Sequence, residues 1–153
     1  MRGFAKGLGV TAAAVGAMIF GSGPASADVF WQPWVAPSDY ECFKSKTHDK
    51  SDYVVFQTCI VHGSGRNIQA VLIVSNTSDK KIKIYGQVYA GWDSSGEYSY
   101  CSLSDLSPGA RTSCFGATST GNLGANTAYS YLYMNGQTDE DATQSNTVTY
   151  YLG

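Results

Sequence analysis

The sequence predicts an all-β sandwich of about seven to eight strands, held by two disulfides. Three observations predict it. Gly, Ser, Thr, Asn, Tyr and Val dominate the chain beyond residue 27, and no segment there has a helical period. Turn signals recur at sandwich spacing, as in Asn76-Thr77-Ser78-Asp79, Asp93-Ser94-Ser95-Gly96 and Leu106-Ser107-Pro108-Gly109. Cys42, Cys59, Cys101 and Cys114 form an even set in a chain with an export leader, so disulfides are expected.

Residues 1–27 read as that leader. Arg2 and Lys6 give a positive start, Leu8 to Phe20 is apolar, and Ala25-Ser26-Ala27 is a small-residue cleavage signature. The apolar run is shorter than the roughly 20 residues needed to cross a bilayer. The mature protein is therefore expected to be secreted and extracellular, with no membrane span.

Residues 28–39 form an extended aromatic arm, Asp28-Val29-Phe30-Trp31-Gln32-Pro33-Trp34-Val35-Ala36-Pro37, continuing to Asp39. Pro33 and Pro37 keep it extended and remove two backbone donors. Such a segment suits a groove or a sheet edge better than a central strand. Val29, Phe30, Trp31, Pro33, Trp34 and Val35 are the candidate partner-binding residues, because Trp dominates binding hot spots. The alternative is that the arm folds back and plugs an open end of its own sandwich.

Residues 40–153 form the sandwich. Tyr53 to Val61 is apolar on both faces, as in a central strand. His62 to Arg66 turns the chain, and Ile68, Ala70, Leu72 and Val74 share one face of the returning strand. In Ile82 to Ala90, apolar Ile82, Ile84, Val88 and Ala90 alternate with a polar and tyrosine face, and Gly86 marks a bulge or a close contact. A shorter strand ends near Cys101, and another runs from Ala110 to Thr118. Residues 121–126 read as a loop. Tyr129, Tyr131 and Tyr133 alternate with Ala128, Leu132 and Met134, a polar loop covers Asn135 to Ser145, and Thr147 to Leu152 is the last strand. Four cysteines allow three pairings. Cys42–Cys59 and Cys101–Cys114 are favoured, since each would tie neighbouring strands and stabilise by about 3 kcal/mol.

Charge excludes several classes. The formal net charge is −2 and becomes more negative without Arg2 and Lys6, so no nucleic acid or anionic membrane partner is expected. Lys80, Lys81 and Lys83 read as a turn and a solvated strand face.

No catalytic residue, metal site or cofactor is expected. His48 lies in a charged turn and reads as solvated, and His62 sits at a hairpin end. Neither is coupled to a nucleophile. Gly63-Ser64-Gly65 lacks the strand-to-helix setting of a nucleophile elbow. Asp93 and Glu97 read as ordinary turn acids, and Thr138 to Asp141 lacks the ligand spacing of a calcium loop. Asn76-Thr77-Ser78 matches a glycosylation triplet but carries little weight. Two other binding roles stay open. Tyr85, Tyr89, Tyr129, Tyr131 and Tyr133, with Trp92, would suit a carbohydrate- or cell-wall-binding module. Ser102 to Ser113 would suit the rigid loop of a secreted hydrolase inhibitor.

Two resemblances extend this reading. The apolar strand into Asn76-Thr77-Ser78, then Ile82-Lys83-Ile84, then Leu106-Ser107-Pro108-Gly109 before a strand, then the tyrosine-rich strand 129–133, resembles an immunoglobulin-like β-sandwich. The cysteine spacing departs from the antibody type, which implies a generic sandwich. The exported, compact, disulfide-bonded β chain also resembles the small adaptor subunit of actinobacterial umbrella toxin particles. That resemblance implies an adaptor joining a repeat-bearing toxin subunit to a lectin-bearing one, with Val29 to Val35 entering a cleft of the lectin subunit. The expected function is thus a secreted, non-catalytic protein-interaction adaptor in an antibacterial toxin complex.

Overall fold

A computed structural model describes residues 29–153; the leader, residues 1–27, and Asp28 lie outside the described residues. Ten strands make two antiparallel sheets. The first holds β1 (Tyr40–Cys42), β2 (Lys46–His48), β3 (Ser51–His62), β4 (Asn67–Asn76) and β7 (Arg111–Thr120). The second holds β5 (Ile82–Ala90), β6 (Tyr98–Leu106), β8 (Gly124–Met134), β9 (Ala142–Gln144) and β10 (Val148–Leu152). The seven longer strands, β3 to β8 with nine to twelve residues each and β10 with five, match the seven to eight expected. The short β1, β2 and β9 were not legible, because three residues give no period to read.

The sheet orders are β3-β4-β7 and β10-β8-β5-β6. β1 and β2 lie end to end along the free side of β3, and β9 and β10 do the same along β8. With the long strands lettered A to G, the sheets read A-B-E and G-F-C-D. This is immunoglobulin-like connectivity with the fourth strand moved into the second sheet.

Alternation builds the core. Ile68, Ala70, Leu72 and Val74 of β4 face Ile84 and Val88 of β5 and Leu132 of β8 between the sheets. Each fully buried large side chain there contributes about 1.5–3 kcal/mol. β3 and β4 are also apolar on their outer face, where Cys59, Val71 and Ile73 are fully buried as a second cluster. A polar thread crosses the interior: the Thr58 hydroxyl lies 2.8 Å from that of Ser130 and 2.7 Å from that of Ser145. Each buried oxygen thereby finds partners, as burial demands.

Both favoured disulfides form. Cys42–Cys59 joins directly opposed residues of β1 and β3. Cys101–Cys114 joins β6 to β7, which are consecutive in sequence but belong to different sheets. It staples the sandwich shut along one side rather than tying neighbours within a sheet.

Two boundaries differ from expectation. β6 does not end near Cys101 but continues to Leu106 through a bulge opposite Ile84 to Gly86. β8 begins at Gly124, inside the run expected to be loop, because β10 pairs with Gly124 to Ala128. The polar loop carries one 3-10 turn, Asp139–Asp141, and no α-helix occurs among the described residues. None of their helices is long and apolar enough to cross a membrane.

Candidate functional site

The arm lies against its own domain. The Val29 N–H donates to the Tyr100 carbonyl (2.7 Å), and the Ser102 N–H donates to the Val29 carbonyl (3.0 Å). Three residues on, Gln32 and Ser113 exchange N–H to carbonyl bonds of 2.9 and 2.8 Å. The first bridge is parallel and falls on β6; the second is antiparallel and falls on β7. Four residues thus cross from the edge of one sheet to the edge of the other.

Between the two bridges, Trp31 packs against the main core. Its indole Nε1 donates to the Ser102 carbonyl (2.6 Å). Gly86 makes the room: a Cβ there would lie 3.2 Å from the Trp31 ring, 2.7 Å from Leu72 and 3.1 Å from the Cys101 sulfur. Trp34 covers the outer apolar cluster of the first sheet. It stacks on Phe115 with centroids 6.1 Å apart and meets Tyr40 edge-on at 5.8 Å.

The six arm residues therefore divide. Val29, Trp31 and Trp34 are partly buried against the sandwich, whereas Phe30 and Val35 are 77% and 76% exposed and Pro33 is exposed. The two tryptophans fasten the arm, and Phe30 and Val35 are what it displays. Phe115, which receives Trp34, was not singled out from sequence, whereas Gly86, which receives Trp31, was expected to mark a bulge or a close contact and marks both.

The residues weighed for chemistry serve the fold. His48 is not solvated but 2% exposed. Its Nε2 contacts the Leu132 carbonyl at 2.9 Å, and its Nδ1 accepts the Lys50 N–H at 3.1 Å. That pairing fixes the neutral tautomer with the proton on Nε2. Burial pushes the imidazole pKa below its ordinary value, against smaller opposing effects of the Leu132 and Asp141 backbone. His62 bridges the Asp39 carboxylate and the Gly65 carbonyl, each at 2.9 Å. Asp141 pairs with Lys50 and with the Thr138 hydroxyl and N–H. The Lys50 ammonium, then Thr138, pull its pKa down to about 2. Asn76 is buried, and its amide donates to the carbonyls of Lys80, Leu106 and Ser107. It anchors two turns, and its nitrogen is committed within the fold. The same contact holds the Leu106–Ala110 turn, so the expected inhibitor loop is mostly strand with a short, clamped tip. Among the described residues no cluster of three or more His, Cys, Asp or Glu could hold a metal.

The tyrosines gather on the outer face of the second sheet. Tyr89 stacks on Tyr129 (4.8 Å), Tyr129 meets Tyr131 edge-on (5.9 Å), and Tyr85 meets Tyr133 edge-on (5.2 Å). Tyr98 and Tyr100, on β6, lie opposite Tyr89 and Gln87 and join this face. They were missed in the sequence, although their period of two marks them. Trp92 does not join it: the ring is 5% exposed in the main core, and its indole N–H has no partner there. No family model matches this chain, and a search of curated proteins finds no match either.

Proposed function

We propose that this chain is a secreted, non-catalytic adaptor that binds a protein partner through the docked arm. The observation that carries the reading is the display of Phe30 and Val35 on a backbone pinned at both sheet edges. A contiguous apolar patch on a surface marks an interaction site. Fixing the backbone of Phe30 and Val35 beforehand lowers the entropy cost of association. The exposed Tyr40 meets Trp34 edge-on and widens the apolar surface there. The leader and the paired cysteines support export. The resemblance to umbrella particle adaptors points to lectin-bearing and repeat-bearing toxin subunits as the partners, and to antagonism between bacteria as the role.

The test is affinity purification from culture supernatant of the native source, using a C-terminally tagged chain and its F30D/V35D variant. Both positions are exposed, so the variant keeps its fold. Large secreted partners captured by the parent and lost from the variant are the expected result. Equal capture by both, or turnover of any substrate by the purified chain, would sink the reading.

A further inference from the structure

The outer face of the second sheet is far from featureless. Gln87 sits at its centre, opposite Tyr131 on β8 and Tyr100 on β6. Tyr89, Tyr98 and Tyr129 adjoin it, and the Tyr98 and Tyr129 hydroxyls meet at 3.0 Å. Tyr98 also packs against Tyr89 (5.4 Å) and Tyr131 (6.3 Å). The Tyr131 hydroxyl donates to the side-chain amide oxygen of Gln144 at 3.2 Å. The rings brace one another across three strands spaced about 4.8 Å apart, so the face is a fixed platform roughly 10 Å wide. Tyrosine gives such a platform area at low entropic cost.

Two properties select the occupant. First, the centre is uncharged. The charges gather at one end, where Lys83 lies opposite Asp105, itself paired with Lys81 at 3.0 Å, and where burial and then Asp139 push the Tyr133 pKa up. Second, Gln87 is half-buried between its cross-strand partners Tyr100 and Tyr131, and its side chain makes no hydrogen bond with any described residue. A half-buried amide is stabilised by a ligand that both donates and accepts. The Arg and Trp anchors of protein hot spots are absent from this centre. An uncharged ligand with apolar faces and many hydroxyls at its edges fits both properties.

We infer that this tyrosine face binds neutral β-1,4-linked pyranose chains. Their equatorial linkages make a flat ribbon that can lie along the row of rings. Their C–H faces would pack on the rings, and their hydroxyls would meet Gln87 and the tyrosine hydroxyls. The site is separate from the arm.

The test is depletion of the purified chain from solution by insoluble cellulose and by chitin. The parent, Q87A, Y131A and the arm variant F30D/V35D are compared, each checked by thermal unfolding. Expected is retention of the parent and the arm variant on at least one of the two polysaccharides. Retention should be insensitive to salt and about tenfold weaker in Q87A and Y131A. The inference is overturned if the parent is retained on neither, if salt abolishes retention, or if both face variants bind as the parent does. It is also overturned if sedimentation shows a dimer that Y131A dissociates, because the face would then belong to a second copy. Loss of retention in the arm variant alone would likewise overturn it.

Discussion

Single residues carry unequal weight where the arm meets the sandwich. W31A removes a packed ring and leaves the Ser102 carbonyl without its donor. Denaturant unfolding should show a loss of about 2–3 kcal/mol. G86A should cost about 1–3 kcal/mol, since the new methyl meets Leu72, the disulfide sulfur and Trp31 together. Combining the two should cost less than their sum, because removing the ring frees part of the space the methyl needs. His48 sets a pH dependence of defined sign. Its pKa is lowered in the fold from an ordinary 6.5, so the unfolded chain takes up the proton first. Stability should be full above about pH 6.5 and fall as pH drops through that value towards the folded pKa. Urea titrations across this range should show the fall in the parent and a flatter profile in H48Q. Little of this was legible in the sequence. The lysines and aspartate around His48 suggest solvent, whereas β2 carries the ring across to the Leu132 carbonyl, 84 residues away.

At the scale of elements, the strands that alternate over nine or more residues were legible, because a period of two needs length to show. β4 and β5 are the clearest cases, with the expected residues inward. The short β1, β2 and β9 owe their existence to long neighbours that pair with them. The cysteine pairing was legible from spacing, but the role of Cys101–Cys114 was not. Proximity in sequence suggests neighbours in one sheet, while the turn at Leu106–Ala110 passes the chain from one sheet to the other. C101S/C114S should lower stability by about 3 kcal/mol in the chain-entropy account, read as a shifted midpoint in guanidinium. It should also loosen β6 from β7, so that amide exchange rises at Val29 and Gln32, whose bonds need both edges in place.

For the molecule as a whole, composition and turn spacing sufficed to reach the sandwich, and cysteine parity its covalent frame. The candidate surfaces were half legible. The aromatic arm and the tyrosines of β5 and β8 stand out in sequence, but which rings face outward depends on pairing across the whole fold. Trp31 and Trp34 look like anchors for a partner until Gly86 and Phe115 are seen to receive them.

The split edges have a consequence for the protein's behaviour in bulk. An unpaired strand flank is a template on which another chain can grow. Each sheet has one flank made of two fragments of three to five residues, β1 with β2 and β9 with β10, too short and interrupted to seed such growth. The other two flanks, β6 and β7, are long, and the arm bridges both. The folded chain should thereby stay dispersed at high concentration. Removing the arm, residues 29–37, takes away its bridge to each of these flanks, and light scattering below the variant's own melting point should then rise with time, while the intact chain stays clear.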